Sequence, residues 1–361
     1  MNGPRIDNRT GLMKRLLQKR GAEERFMNAV VTDRSAWNRC RFVPGDNGGH
    51  YESFFQRANH RGRPLAFWIR YTILSPKGRP ADAAGELWAI YFDGESNRIA
   101  AAKEVFPLSE CVFSAAGLDA RIGAATLRDG WLEGGAASSG HVLRWSLRYE
   151  GDAPPLLLLS PSLYEGGFPK AKALVGTPHA VYSGSLLVDG ETVEVDGWVG
   201  SQNHNWGSQH TDRYAWGQVA GFDNDPDAFL ECSTARVRLG PLWTPWFTLV
   251  VLRVDGQEFA LNTLPQAVRA YGRFDYFRWT FDSQARGLRI HGQIQAPASA
   301  FLGLRYDNPR GGYKTCLNTK LANCELTLER QGHPSRTLTT RHRAAFEILT
   351  DDRSHGIPVV L

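Results

Sequence analysis

The chain of 361 residues is poor in the residues that usually announce a mechanism. It has only five Cys, at 40, 111, 232, 316 and 324. The number is odd and no pair shows CxxC spacing, which argues against a disulfide framework. Reduced thiols in a cytoplasmic-type compartment are expected. No apolar run approaches the roughly 18 residues that a membrane-spanning helix needs. The basic N-terminal residues have no apolar stretch behind them, so a secretory signal is not expected. GxSxG, Walker A and HExxH are missing, as is a GxGxxG opening a helix after a strand. These absences argue against serine hydrolases, nucleotide-driven enzymes, that class of metalloprotease and dinucleotide enzymes. The net charge of +5 is spread over the whole chain, so a nucleic-acid partner is not expected.

What the chain does have is Gly (37), Pro (19) and Trp (11). Plentiful turn residues favour an all-β protein. From residue 50 onward apolar residues recur with a period of two. The runs 50–58, 65–74, 86–93, 97–106, 141–149, 179–188 and 192–199 read as strands. So do 213–222, 227–238, 246–254, 257–261, 276–282, 287–295 and 324–330. Asp189-Gly190 and Asp255-Gly256 carry hairpin-turn chemistry. Many short strands with turns between them mean a barrel or sandwich, and each half could close a barrel of about eight strands. Residues 151–178 read as irregular apart from a buried strand at Leu156–Leu159, and 306–323 reads as a structured loop.

Residues 11–30 carry the one convincing helix. It either packs on a barrel or rests its basic face on an anionic membrane as a peripheral contact. Glu23 and Glu24 dilute that face and favour packing.

Residues 194–218 (EVDGWVGSQNHNWGSQHTDRYAWGQ) hold two His, three Trp, one Tyr, three Gln and two Asn. An aromatic wall with a few placed polar groups suits a mostly apolar small molecule. His204, beside Trp206, is the candidate acid/base or hydrogen-bond donor. The competing reading is a loop whose amides tie down backbone groups. A metal reading would use His204, His210 and Asp212, but their spacing matches no known zinc pattern and the neighbouring amides are poor ligands, so no metal is expected. Alternation puts Tyr214, Trp216 and Gln218 on one face, as a cavity wall or as ordinary packing. Glu231 sits among apolar strand neighbours. Burial there would raise its pKa and suit a general acid, whereas a solvated face would not. Glu52 and Arg70, with Trp68 beside Arg70, form a possible second site in the first half if the two charges pair across a barrel.

Three stretches, 51–73, 202–218 and 306–322, resemble the lipocalin-like proteins that include bacterial carotenoid 1,2-hydratases (hydroxyneurosporene synthases). Tocopherol cyclase and fungal lipocalin-like Diels–Alderases look like more distant relatives. The resemblance implies two tandem lipocalin-like antiparallel β-barrels with a short N-terminal helix: a helical segment at 1–35, then barrels at 36–195 and 196–361. It also implies a cavity for an isoprenoid or polyketide-like ligand. The catalytic His and Trp of the hydratases match His204 and Trp206. Their Tyr-x-Asp is replaced by Phe229-Leu230-Glu231, which leaves Glu231 as the nearest carboxyl.

The combined expectation is a cofactor-independent hydratase, cyclase or isomerase acting on an apolar alkene or polyene. His204, Trp206 and Glu231 would carry the chemistry. Trp198, Gln202, Asn203, Asn205, Gln209, His210, Tyr214, Trp216 and Gln218 would hold the substrate. The competing class is a non-catalytic carrier of a lipid or pigment, which needs the aromatic lining but no proton-transfer group.

Overall fold

The computed structural model describes residues 33–361. The helix expected at 11–30, and with it the basic face offered to a membrane, lies outside the described residues. Among the described residues, helix is confined to two short α segments, α1 (Arg34–Asn38) and α2 (Leu264–Arg269), and a few single 3-10 turns. None is long and apolar enough to cross a membrane. Everything else of regular structure is antiparallel sheet.

The first sheet contains β1 (His50–Asn59), β2 (Leu65–Ser75), β3 (Ala84–Asp93), β4 (Arg98–Pro107), β5 (Cys111–Phe113), β6 (Asp119–Ile122), β7 (Ala125–Arg128), β8 (Trp131–Ser138), β9 (His141–Glu150), β10 (Leu156–Leu157), β11 (Ala171–Val188) and β12 (Glu191–Gly207). Their spatial order is β4-β3-β2-β1-β12-β11-β9-β8-β7-β6-β5, with β10 on β11. The sheet curls until β4 meets β8, where the Lys103 and Ala137 amides donate to Ser138 Oγ and Glu104 Oε1. Phe54, Tyr71, Trp145, Tyr182 and Trp198 fill the inside of this barrel.

After Gly207 the chain enters the second sheet at β13 (Arg213–Phe222), followed by β14 (Asp225–Arg236). A small hairpin of β15 (Arg238–Leu239) and β16 (Leu242–Trp243) stands apart. Then come β17 (Phe247–Val254), β18 (Gln257–Leu261), β19 (Tyr271–Asp275), β20 (Arg278–Ala285), β21 (Leu288–Gln295), β22 (Leu302–Asp307), β23 (Tyr313–Arg330) and β24 (Arg336–Thr350). The order is β18-β17-β14-β13-β24-β23-β21-β20-β19, with β22 on β23. Phe222, Trp279, Phe281 and Phe346 pack its interior, and Trp279 Nε1 donates across it to Thr234 Oγ1 at 3.0 Å. The fold is two antiparallel β-barrels of lipocalin type.

The strand rhythm places most of these elements correctly. Asp189-Gly190 and Asp255-Gly256 turn with positive φ at both residues, as the tightest hairpins require. Three expectations need correction. The sheets have twelve and ten strands rather than about eight each; β5, β6, β7 and β10 are too short to show a period. The irregular stretch 151–178 becomes strand from Ala171, and the loop expected at 306–323 is strand apart from a turn around 308–312. Both errors have one cause. These strands bury polar side chains, such as Asn318 and Lys320, so they lack the apolar alternation of an ordinary strand. The chain changes sheets between Gly207 and Arg213, and residues 195 and 196 lie inside β12.

The central strands approach closely. A Cβ at Gly200 on β12 would overlap the Arg57 carbonyl on β1. The clash is backbone against backbone, so no rotamer change can relieve it. Gly200→Ala is therefore expected to destabilise the protein by about 1–3 kcal/mol or more, read as a lowered urea midpoint. Gly62→Ala, which meets open space, is the control and should leave the midpoint unchanged.

Candidate active site between the barrels

The barrel interiors are filled, and a cavity lies between the barrels. Its volume is about 360 Å³. The strand period of two explains its walls. On β1 the odd residues Tyr51, Ser53, Phe55, Arg57 and Asn59 face the second sheet, while Glu52, Phe54 and Gln56 face the interior of the first barrel. Trp68 and Arg70 on β2, and Asn203 and Asn205 on β12, belong to the wall facing the second sheet. Opposite stand Tyr214 and Trp216 of β13, Glu231 of β14, and Tyr306 and Glu347. The expected shared face of Tyr214, Trp216 and Gln218 exists. It looks toward the other barrel rather than into its own, because Ala215 and Val219 take the interior.

Polar groups tie the two walls together. Gln218 Nε2 donates to Asn203 Oδ1 at 2.7 Å and to Glu231 Oε2 at 2.8 Å. Its Oε1 accepts from Arg57 Nε and from Ser201 Oγ, both at 2.6 Å. Trp216 Nε1 donates to Glu231 Oε1 at 2.7 Å. Burial pushes the Glu231 carboxyl up to about 7, against the hydrogen bonds from Trp216 and Gln218 that favour its anion. Beside it, Lys320 Nζ donates to Glu347 Oε1 at 2.9 Å and to Asn318 Oδ1 at 2.6 Å. That ammonium also lies over the rings of Trp68 and Trp216 at 5.5 and 5.7 Å.

His204 borders the cavity, yet its imidazole is held on the other face of β12. It stacks on Phe54 at 4.2 Å and lies 4.7 Å from the Trp206 ring. Nδ1 is 2.9 Å from the Trp37 carbonyl and Nε2 is 2.8 Å from Glu52 Oε1. A carbonyl can only accept, so Nδ1 carries a hydrogen there. One further proton lies between Nε2 and Glu52. Burial would raise the Glu52 pKa, but hydrogen bonds from His204 and His50 outweigh it and hold the carboxyl well below the usual range. The Arg41 amide at 2.8 Å and the Cys40 thiol at 3.3 Å add to this. Both nitrogens of His204 are thus engaged.

The expected Glu52–Arg70 pair does not form. Glu52 points into the first barrel and binds His204 and His50. Arg70 stands opposite Phe55, on the outer face, and donates to Ser53 Oγ at 2.9 and 2.6 Å. Alternation along β1 sets these groups on opposite sides.

The other expected residues divide in the same way. Asn203, Asn205, Gln209, His210, Tyr214, Trp216 and Glu231 border the cavity, as do Trp68 and Arg70. The buried Asn205 amide oxygen has no partner among the described residues. Trp198 belongs to the core of the first barrel. Gln202 is bonded to Asn38 at 2.6 Å, inside that barrel. Trp206 packs with Tyr164 and Leu174 beneath the guanidinium of Arg41, 3.8 Å from its ring. Gln218 acts from behind Glu231. Sequence reasoning missed Arg57, Lys320, Glu347, Tyr51 and Tyr306. A charged residue in an alternating strand reads as its solvated side, and only a partner sheet reveals otherwise. Among the described residues no cluster of His, Cys, Asp or Glu is arranged to hold a metal.

Lys170, Lys172 and Arg238 also line the cavity, together with the exposed apolar side chains Phe168, Leu239 and Leu264.

No family model matches the chain. Two curated relatives, the uncharacterized proteins MT0513 and Rv0493c from two strains of Mycobacterium tuberculosis, are 28% identical over 192 residues. The match covers 52% of this chain and 56% of theirs, so it spans just over half of their length. Three solved structures share the fold. An AttH-designated protein from Nitrosomonas europaea has a TM-score of 0.53 at 12% identity, over 87% of this chain and 97% of its own. Kievitone hydratase from Nectria haematococca gives 0.53 at 11% identity, over 85% and 90%. CghA, solved with Sch210972, gives 0.52 at 11% identity, over 89% and 96%.

The depressed Glu52 pKa gives a signed expectation. A carboxyl whose folded pKa lies below its unfolded value adds stability above the unfolded pKa of about 4.3, and that stability is lost as pH falls. Glu52→Gln should therefore be less stable than the unaltered protein near pH 5, and the margin should shrink as pH falls from there. Urea unfolding at intervals from pH 3 to 8 reads it. A margin independent of pH would show that the Glu52 charge is not what the pocket stabilises.

Proposed function

We propose that the chain is an enzyme of the hydratase, cyclase or isomerase kind, acting on an apolar unsaturated small molecule held between the two barrels. The observation that carries this reading is Glu231. It is a fully buried carboxyl on the cavity wall, held in place by Trp216 and Gln218 and raised to about 7. Such a group holds its proton near neutral pH and can deliver it to a carbon–carbon double bond. A cation formed by that step would lie beside the rings of Trp216 and Tyr214. Cyclisation would need less, namely a fixed chain conformation and one hydrogen bond to a carbonyl. Asn205, whose side-chain amide carries N–H donors on the cavity wall, is placed to give it, whereas the one N–H of the neutral His210 is held by the Asp307 backbone. His210 is pushed down to about 3 by burial and by the charge of Arg70.

The shared fold with a hydratase supports the enzyme reading. In this reading His204 is a positioning residue. It clamps Glu52 and the Trp37 backbone, and so holds β12 under its neighbours Asn203 and Asn205. A resident cofactor forms no part of the reading.

One observation favours the carrier reading instead. His204 has no nitrogen free for a ligand, so the expected pairing of His204 with a carboxyl as acid and base is not assembled. A carrier would return its guest unchanged.

The test begins with apolar material extracted from the purified protein and identified by mass spectrometry. That compound is then incubated with fresh protein in deuterium oxide. Proton delivery by Glu231 places solvent deuterium on carbon. Glu231→Gln should retain binding and lose about 10²–10⁴-fold in rate. The rate of the unaltered protein should fall as pH rises through about 7, because the acid form is consumed. His204→Gln should differ in kind, by lowering the melting temperature. A guest recovered without deuterium, unchanged in mass and unchanged in its NMR spectrum, so neither hydrated nor rearranged, would establish the carrier. Full activity in Glu231→Gln would remove Glu231 as the donor.

A further inference from the structure

Arg70 is 4% exposed and borders the cavity. Its only hydrogen bonds run from Nε and Nη2 to the neutral Ser53 hydroxyl. Nη1 donates to no group among the described residues. Its guanidinium carbon lies 4.6 Å from the Tyr306 ring and 5.8 Å from those of Trp68 and Trp88. These contacts offset part of the desolvation of the cation but do not neutralise it. Among the described residues no carboxylate lies within ion-pair distance of Arg70. The nearby carboxylates are committed elsewhere, Glu86 to Lys103 at 2.8 Å and Glu347 to Lys320 at 2.9 Å.

A lone guanidinium in a mostly apolar wall is costly unless something with negative charge joins it. Beside it, His210 lies between Tyr51 and Tyr306, with ring centroids 4.0 and 5.5 Å away. On the facing wall, Glu231 repels an anion whenever it ionises. Lys170 and Arg238, which also line the cavity, are cationic and favour an anion over a neutral guest.

We propose that the cavity takes an amphiphile with one acidic oxygen group, such as a carboxylate, enolate or phenolate. That group sits against Arg70 beside His210 and Tyr306, and the unsaturated part extends toward Trp216 and Glu231. The proposal rests on the reading of the cavity as an apolar-ligand site and names the head group of that ligand. Arg70 suits the role because its planar fork engages an oxyanion through two N–H groups.

The probe is cis-parinaric acid, a fluorescent polyene carboxylic acid, compared with its methyl ester at pH 7.5. The unaltered protein is expected to bind the acid about tenfold or more tightly than the ester, as a charge-assisted contact predicts. Arg70→Gln should abolish that preference and leave ester affinity within about twofold, while Arg70→Lys should retain part of it. Equal affinity for acid and ester in the unaltered protein overturns the Arg70 assignment and leaves the apolar-ligand reading standing. Binding of neither compound overturns both. A preference that survives Arg70→Gln also overturns the assignment. If that variant does not fold, Arg70→Lys decides: a reduced preference supports the assignment, and a preference unchanged in Arg70→Lys overturns it.

Discussion

Gln218 is the side chain on which the arrangement turns, because its one amide bonds to both barrels at once. Its oxygen takes hydrogen bonds from Arg57 and Ser201 of the first barrel. Its nitrogen gives one to Asn203 across the interface and one to Glu231 in its own sheet. All four partners are buried. A buried network is stable only when its members are satisfied together, so each wall depends on the other for its polar groups. Apolar contacts flank this layer on both sides. Trp68 and Trp88 pack toward Tyr306 and Leu349, and Val175 and Val199 toward Phe229 and Val251. The two barrels therefore share a core with a polar centre.

The same layer separates two buried carboxyls by chemistry. Glu52 and Glu231 are both removed from water, and burial alone would raise both. Glu52 is surrounded by donors that include two imidazoles, so its anion wins. Glu231 receives neutral N–H groups from Trp216 and Gln218, and burial wins. Partner type, rather than depth, decides which carboxyl keeps its proton. That is how one sheet pair can carry a structural anion and a proton donor without exchanging their roles.

Much of the fold is legible in the sequence because a barrel wall that faces a packed interior must alternate. β13 and β18 begin and end where the period of two places them, and the two Asp-Gly hairpins mark their own turns. The site is legible only in part. Glu231 is readable as a carboxyl among apolar strand neighbours, and Trp216 and Tyr214 as a shared face. Alternation shows which residues share a face but not what that face meets. Tyr214, Trp216 and Gln218 could equally have lined their own barrel. Lys320 falls within the stretch read as a loop at 306–323, and nothing in the sequence singles out Glu347. Trp198 and Trp206 belong to the most suggestive segment, yet the odd–even rule turns them toward the first barrel with His204.

The position of the cavity follows from this geometry. Each barrel interior is closed by large side chains, Trp145 and Trp198 in one and Trp279 and Phe346 in the other. Space for a guest remains where two convex walls meet and cannot be complementary throughout. Polar groups in such a gap lose water without gaining a full set of protein partners. The partnerless Asn205 oxygen and the lone guanidinium of Arg70 are its residue. A ligand that supplies the missing partners gains more there than in a dry barrel, because it relieves costs the fold has already met. Binding between the barrels would therefore also hold them together, and occupancy and stability should rise as one.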